Sequence, residues 1–223
     1  MQRTALKLVL PSGGTVSALL DVPANATAVY VFAHGAGAGM EHAFMEAIAH
    51  GLARRDIATL RFQFPFMEHG SKRPDPPAVA HASIRAAVAE AARRFPGLPL
   101  FAGGKSFGGR MTSQAQALEP LPTVLGLIFV GFPLHPAGKP GIERAKHLTG
   151  VAVPMLFVQG TRDALAELDL VRATTQTLGG LATLHVVEGA DHAFHVLVRS
   201  GRNDAQVLEE VADTMSGWMK LQA

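Results

Sequence analysis

Ser106 stands in the run Gly104-Lys105-Ser106-Phe107-Gly108. A Gly-x-Ser-x-Gly pattern between an apolar run and a helical one fits a sharp strand-to-helix turn that exposes the serine hydroxyl. Glycine is favoured two residues to either side, because such a turn presses those positions against neighbouring backbone. A serine hydroxyl is a poor nucleophile at neutral pH and needs a neutral imidazole to take its proton. The imidazole in turn needs a carboxylate to fix its tautomer and to stabilise its charged form. Downstream the chain offers Asp163, in Gly160-Thr161-Arg162-Asp163, and His192, in Glu188-Gly189-Ala190-Asp191-His192. Asp191 and Glu188 are rival carboxylates. Adjacent side chains usually diverge, however, so Asp163, from a separate strand end, is the expected partner of His192. Acyl transfer also needs N–H donors for a developing oxyanion. The Phe107 N–H, just after the serine, is one candidate, and the Ala36 N–H, in His34-Gly35-Ala36-Gly37, is the second. Gly35 gives that loop its freedom. Met40, Phe64, Phe132 and Phe194 lie near strand ends and are candidates for an acyl pocket.

Other chemistries fit less well. Gly104-Lys105-Ser106 copies the end of a phosphate-binding loop, but that loop's first glycine would fall at Pro99. Gly35-Ala36-Gly37 could open a dinucleotide fingerprint, but the third glycine would fall at Met40, and the next strand ends Arg61-Phe62-Gln63 without an acid. His192 and His195, and His34, His42 and His50, match no zinc pattern. With no cysteine in the chain, thiolate zinc, iron–sulfur clusters, disulfides and a cysteine nucleophile are excluded. Neither metal nor cofactor is expected.

Each candidate must be carried to one place by the elements around it. Leu6–Leu10 and Thr15–Val22, joined through Gly13-Gly14, read as an antiparallel hairpin. Ala28–Ala33 is apolar on both faces, as a buried parallel strand is. Further strands are expected at Ile57–Phe62, Leu98–Ala102, Thr123–Val130, Val151–Val158 and Ala182–Val187. Helical patterns fall at Glu41–Arg55, Val79–Phe95, Phe107–Leu118, Ala164–Leu178 and Asn203–Leu221. Strands alternating with helices predict a doubly wound, mostly parallel sheet of about eight strands with helices on both faces. In such sheets sites form beyond the carboxyl ends of the strands, where Ala36, Ser106, Asp163 and His192 all fall. Phe64–Pro77 and Pro133–Gly150 are the only room for a lid, and both are short.

Composition narrows the class. The 223 residues are 48% hydrophobic and 17% charged, with a net charge of +2. That balance excludes a disordered chain and a coiled coil. The basic pairs Arg54-Arg55, Lys72-Arg73 and Arg93-Arg94 are scattered, so neither nucleic acid nor an anionic membrane is an expected partner. The expectation is one domain over residues 1–223. The N-terminal run alternates polar and apolar residues without the apolar core of a signal peptide, and Val124–Leu134 is too short and glycine-broken to span a bilayer. A cytoplasmic location is expected.

The order Ser, Asp, His, with the serine turn after the fifth strand and His-Gly after the third, resembles the α/β-hydrolase fold over the whole chain. Four stretches narrow the resemblance: Phe32–Gly37; Gly103–Arg110; Phe132–Pro136 with Gly138-Lys139-Pro140; and Phe157–Asp163. They are similar to a small group of predicted α/β-hydrolases related to dienelactone hydrolases and to the testis-expressed 30 and NSL-complex subunit 3 proteins. The resemblance implies the fold and the positions of the triad. Where dienelactone hydrolases proper use a cysteine nucleophile, this chain has Ser106. The expected activity is cleavage of a small-molecule ester or related acyl bond through an acyl-enzyme. The alternatives are a non-catalytic interaction domain that keeps the fold and, among enzymes, a thioesterase or serine peptidase.

Overall fold

The computed structural model describes residues 1–223. Its centre is an eight-stranded sheet. The strands are β1 (Gln2–Val9), β2 (Thr15–Val22), β3 (Ala28–Ala33), β4 (Ile57–Phe62), β5 (Leu100–Lys105), β6 (Val124–Val130), β7 (Met155–Gly160) and β8 (Ala182–Val187). Their spatial order is β1-β2-β4-β3-β5-β6-β7-β8. β1 pairs antiparallel with β2, and β2 with β4. Every other pairing is parallel. This is the α/β-hydrolase fold.

The helices α1 (Ala43–Ala53), α2 (Pro65–Glu68), α3 (Pro77–Arg94), α4 (Phe107–Leu118), α5 (Leu168–Leu178) and α6 (Asp204–Gln222) flank the sheet. Two apolar layers result. One joins Ile84 and Val88 of α3, Met111 of α4 and Val171 of α5 to one face of the sheet. The other joins Ile48 and Leu52 of α1 and Val211 and Trp218 of α6 to the opposite face. With both faces covered, β3 and β4 are buried at every residue; β3 is apolar throughout, as such a strand usually is, while β4 buries two polar residues, Thr59 and Arg61, as well.

Strand order reverses around β3, which lies between β4 and β5. A crevice opens at such a reversal beyond the strand ends. The loops that leave β3 and β5 there carry Ala36 and Ser106.

Several element ends differ from expectation. β5 continues three residues further, through Gly103 and Gly104 to Lys105, because those glycines let β6 and the turn come close. A Cβ on Gly103 would sit 1.9 Å from the Ile128 carbonyl oxygen. β7 begins at Met155, since Pro154 has no N–H to give a ladder. α5 begins at Leu168 rather than Ala164, because Asp163 and the residues after it form a separate turn. Phe64–Pro77 contains the short α2, and Pro133–Gly150 contains a tight 3₁₀ segment, Glu143–Gly150. No helix is long and apolar enough to cross a membrane.

Candidate active site

Ser106 connects β5 to α4 with φ 51° and ψ −114°. This is a left-handed φ that a side-chain-bearing residue adopts only when its surroundings impose it. The surroundings are close-packed backbone. A Cβ on Gly104 would lie 2.4 Å from the Ala33 carbonyl oxygen, and a Cβ on Gly108 would meet the same oxygen at 2.4 Å. The Ser106 N–H donates to Val130 O at 3.1 Å, and Ser106 O accepts the Arg110 N–H that opens α4. Gly35 differs from the turn glycines. A Cβ there would make ordinary contacts, with the Lys105 oxygen at 3.7 Å and Ser106 Cβ at 3.8 Å.

The loop after β8 brings His192 to Ser106, with Nε2 2.8 Å from Oγ. On the other side of the ring, Nδ1 lies 2.7 Å from Asp163 Oδ2. A carboxylate can only accept, so Nδ1 carries the proton and Nε2 presents its lone pair to the serine hydroxyl. Asp163 is buried and fully engaged. Its Oδ1 accepts the Leu165 N–H at 2.8 Å, and its Oδ2 also accepts the Gln159 side-chain amide at 2.6 Å. Asp191 does something else: its Oδ1 accepts the backbone N–H groups of Ala193 and His195. It orders the loop that carries His192 and does not touch that ring.

Two N–H groups are available for an oxyanion. Phe107 is the first residue of α4, where N–H groups have no acceptor within the helix. The Ala36 N–H donates in none of the loop hydrogen bonds. The loop bearing Ala36 is held from below. His34 is buried, its Nδ1–H donates to Gly35 O at 2.7 Å, and its Nε2 accepts the Phe64 N–H at 3.0 Å. Burial pushes this imidazole down to about 4, so it stays neutral in that double role. Further along, Met40 is clamped: its N–H donates to Gln63 Oε1, and its carbonyl accepts from the buried Arg61, itself paired with Asp21.

A cavity of about 370 Å³ opens beside Ser106 and His192. Its walls include Gly35–Ala38, His42, Phe44, Met45 and Lys105. The Lys105 ammonium donates to His192 O at 2.6 Å and lies 5.7 Å and 5.5 Å from the Phe44 and Phe194 ring centres. Burial pushes Lys105 down to about 8, against the pull of Asp163 and Asp191. A second cavity, of about 350 Å³, shares Ala36 and Gly37 with it and reaches Ser71 and Lys72.

None of the four expected pocket residues lines the larger cavity. Met40 is buried at the Arg61 clamp. Phe64 turns into the core against Phe62 and Phe107. Phe132 does the same against Phe129 and Phe157. Phe194 lies behind the wall, its ring 5.7 Å from that of Phe44. Aromatic residues that follow a buried strand satisfy the core layers first; the cavity is built instead from the start of α1. The sequence reading also missed Gln159. Its signal was an amide in the otherwise apolar run Met155-Leu156-Phe157-Val158, four residues before Asp163.

Comparison with known proteins agrees with this architecture. Residues 26–220 match the family model of the alpha/beta hydrolase domain. A dienelactone hydrolase from Anabaena variabilis superposes with a TM-score of 0.80 at 20% identity, covering 99% of this chain and 98% of its own. An alpha-beta serine hydrolase homologue from Coxiella burnetii gives 0.76 at 21% identity, covering 95% and 96%. A lidless a/b serine hydrolase from Xanthomonas campestris gives 0.73 at 21% identity, covering 96% and 93%.

Proposed function

This chain belongs to the alpha/beta hydrolase domain family, and on that premise we propose that it is a serine hydrolase that cleaves an ester or related acyl bond through an acyl-enzyme on Ser106. One observation carries the reading. Ser106 Oγ, His192 and Asp163 form an unbroken chain of hydrogen bonds of 2.8 Å and 2.7 Å, beside a cavity large enough for a small acyl group. The names of the structural neighbours point the same way, since they include a dienelactone hydrolase and a serine hydrolase.

In the reaction, Ser106 Oγ attacks the acyl carbonyl while its proton passes to His192 Nε2. Asp163 remains ionised and stabilises the imidazolium. The carbonyl oxygen becomes an oxyanion and takes the N–H groups of Ala36 and Phe107, donors fixed before the reaction begins. When the intermediate collapses, His192 returns the proton to the leaving group. Water then attacks the acyl-enzyme by the same steps, with His192 again as base. All of this takes place within one domain spanning residues 1–223.

Labelling with a fluorophosphonate probe tests the reading. Wild type takes the label and Ser106→Ala does not. If neither protein is labelled, the chain is a non-catalytic member of its fold.

A further inference from the structure

Lys105 is the last residue of β5 and the chain neighbour of Ser106, yet the proposed reaction leaves it without a task. It is half-buried. Its stem passes beside the loop after β3, where a Cβ on Gly35 would lie 3.8 Å from Lys105 Cγ. Its ammonium ends in a nest drawn from three other parts of the chain. The His192 carbonyl accepts from Nζ at 2.6 Å, and the Phe44 and Phe194 ring centres stand 5.7 Å and 5.5 Å away. The nest exists because residue 131 is glycine: a Cβ there would come within 2.9 Å of Nζ and 3.4 Å of the Phe194 ring. Asp163 and Asp191 act on the ammonium through their field, not through a bond. A cation kept among neutral partners carries a desolvation cost that an apolar side chain of the same length avoids. What the ammonium holds is therefore the reason to keep it.

The loop that carries His192 is otherwise closed on itself at this point. The Asp191 N–H donates to His195 O, the Phe194 N–H donates to Asp191 O, and the Asp191 carboxylate takes the Ala193 and His195 N–H groups. Among residues 191–194, the His192 carbonyl is the one backbone group held from outside the loop. Phe194 has a left-handed φ of 63°, which a side-chain-bearing residue keeps only where its surroundings impose it. Lys105 braces this bend twice: it grips the carbonyl two residues before it and faces the ring upon it. A circuit closes as a result. Lys105 is joined covalently to Ser106, its Nζ holds the His192 backbone, and the His192 ring reaches Ser106 Oγ at 2.8 Å.

We propose that Lys105 is a positioning residue, which ties the backbone of the base to the chain neighbour of the nucleophile and so keeps His192 Nε2 in reach of Ser106 Oγ. The inference rests on the serine hydrolase reading for its reaction, but the tie itself can be observed without turnover. His192 takes the serine proton and must then deliver it to the leaving group, so its ring has to stay in register while it is charged. A displacement of about 1 Å in such a geometry costs on the order of a hundredfold in rate. Two restraints divide the task. Asp163 sets how the ring is turned, and Lys105 sets where the backbone beneath it stands.

Lys105→Met keeps an apolar stem of similar length and removes the donor. With 4-nitrophenyl butyrate, kcat is expected to fall roughly tenfold to a hundredfold, with KM within about twofold of wild type and no fall in Tm at pH 7.5. A second readout is the NMR resonance of the His192 Nδ1 proton, which reports the bond to Asp163 whether or not the protein turns over. It shifts or broadens in Lys105→Met. A third uses wild type alone, with isotope-labelled lysine: one ammonium is protected from solvent exchange and shows a cross-peak to the His192 backbone. The proposal is overturned if Lys105→Met keeps the wild-type kcat and resonance, if a fall in Tm accounts for the lost activity, or if no lysine ammonium is protected. It is also overturned if Lys105→Met raises KM for the charged ester 4-nitrophenyl hemisuccinate while kcat on the butyrate is unchanged, since the ammonium is then a contact for the substrate. If the fluorophosphonate fails to label wild type, the hydrolase reading falls and the two NMR readouts alone decide the tie. If wild type and Lys105→Met are labelled at the same rate, the hydrolase reading stands and the tie falls.

Discussion

Gln159 and His192 donate to the same oxygen of Asp163, at 2.6 Å and 2.7 Å. The amide arrives from β7 and the imidazole from the loop after β8, so the carboxylate plane is set before the histidine meets it. Gln159 Oε1 is buried with no partner, which argues that the amide is retained for its N–H. Gln159→Leu is expected to lower kcat roughly tenfold with KM nearly unchanged. Steady-state kinetics beside a melting curve checks this; a fall in Tm that accounts for the lost activity would reduce Gln159 to a structural role.

Asp163 and Asp191 differ sharply in what they hold. Under the proposed mechanism, Asp163→Asn puts an amide where only an acceptor works, and it is expected to stabilise the wrong histidine tautomer and to cost roughly 10⁴ in turnover. Asp191→Asn keeps the Oδ1 that accepts from Ala193 and His195, and is expected to cost about tenfold or less. The two variants measured side by side on one ester decide the assignment. Near-wild-type turnover in Asp163→Asn would remove it from the triad.

Gly108 and Gly35 are not equivalent. Gly108→Ala drives a methyl to 2.4 Å from the Ala33 carbonyl and is expected to cost roughly 3 kcal/mol together with all activity; Gly108→Val is worse. Gly35→Ala finds its nearest neighbour at 3.7 Å and leaves the fold intact. Denaturant unfolding of the pair tests the contrast, and a stable, active Gly108→Val protein would show the turn to be ordinary.

His34 makes the fold sensitive to acid. Its folded value is lowered from 6.5 to about 4, so between those values the unfolded chain binds the extra proton. Stability is therefore complete above pH 6.5 and falls as the pH drops toward 4, by about 3 kcal/mol from this residue alone. A glutamine in its place can donate and accept but does not titrate, so His34→Gln should flatten that slope. Melting curves of wild type and His34→Gln from pH 7 to 4 check it, and parallel slopes would exclude His34 as the cause.

Lys105 works in the opposite range. Its value is depressed from 10.5 to about 8, so the unfolded chain again holds more protons, here between pH 8 and 10.5. Wild type should gain stability relative to Lys105→Met as the pH rises through that window. Thermal melts at pH 7.5 and 10 measure the difference; an equal shift in both proteins would show that Lys105 keeps its proton at no cost.

Much of this site was legible because topology does the placing. Once strands and helices alternate, Ala36, Ser106, Asp163 and His192 reach one sheet edge whatever the details between them. The preference for Asp163 over Asp191 also followed from elementary geometry. The cavity wall was not legible. Whether Phe64 or Phe132 turns over the edge or into the core depends on the first residues of each loop, and no periodicity records that. Phe44 and Met45 fall within the helical pattern Glu41–Arg55, and nothing in that pattern marks them as cavity wall. The late start of α5 was hidden for a similar reason, since Asp163 suits a helix cap and a triad equally well by residue type.

The left-handed backbone at Ser106 has a thermodynamic corollary. A conformation with φ 51° and ψ −114° costs a serine on the order of 1–3 kcal/mol, while glycine adopts positive φ freely. The folded protein would thus gain robustness from Ser106→Gly, the very change that removes the nucleophile of the proposed reaction. If Ser106 is the nucleophile proposed above, stability and turnover pull in opposite directions at this one residue, and selection for heat resistance alone would erode its hydroxyl.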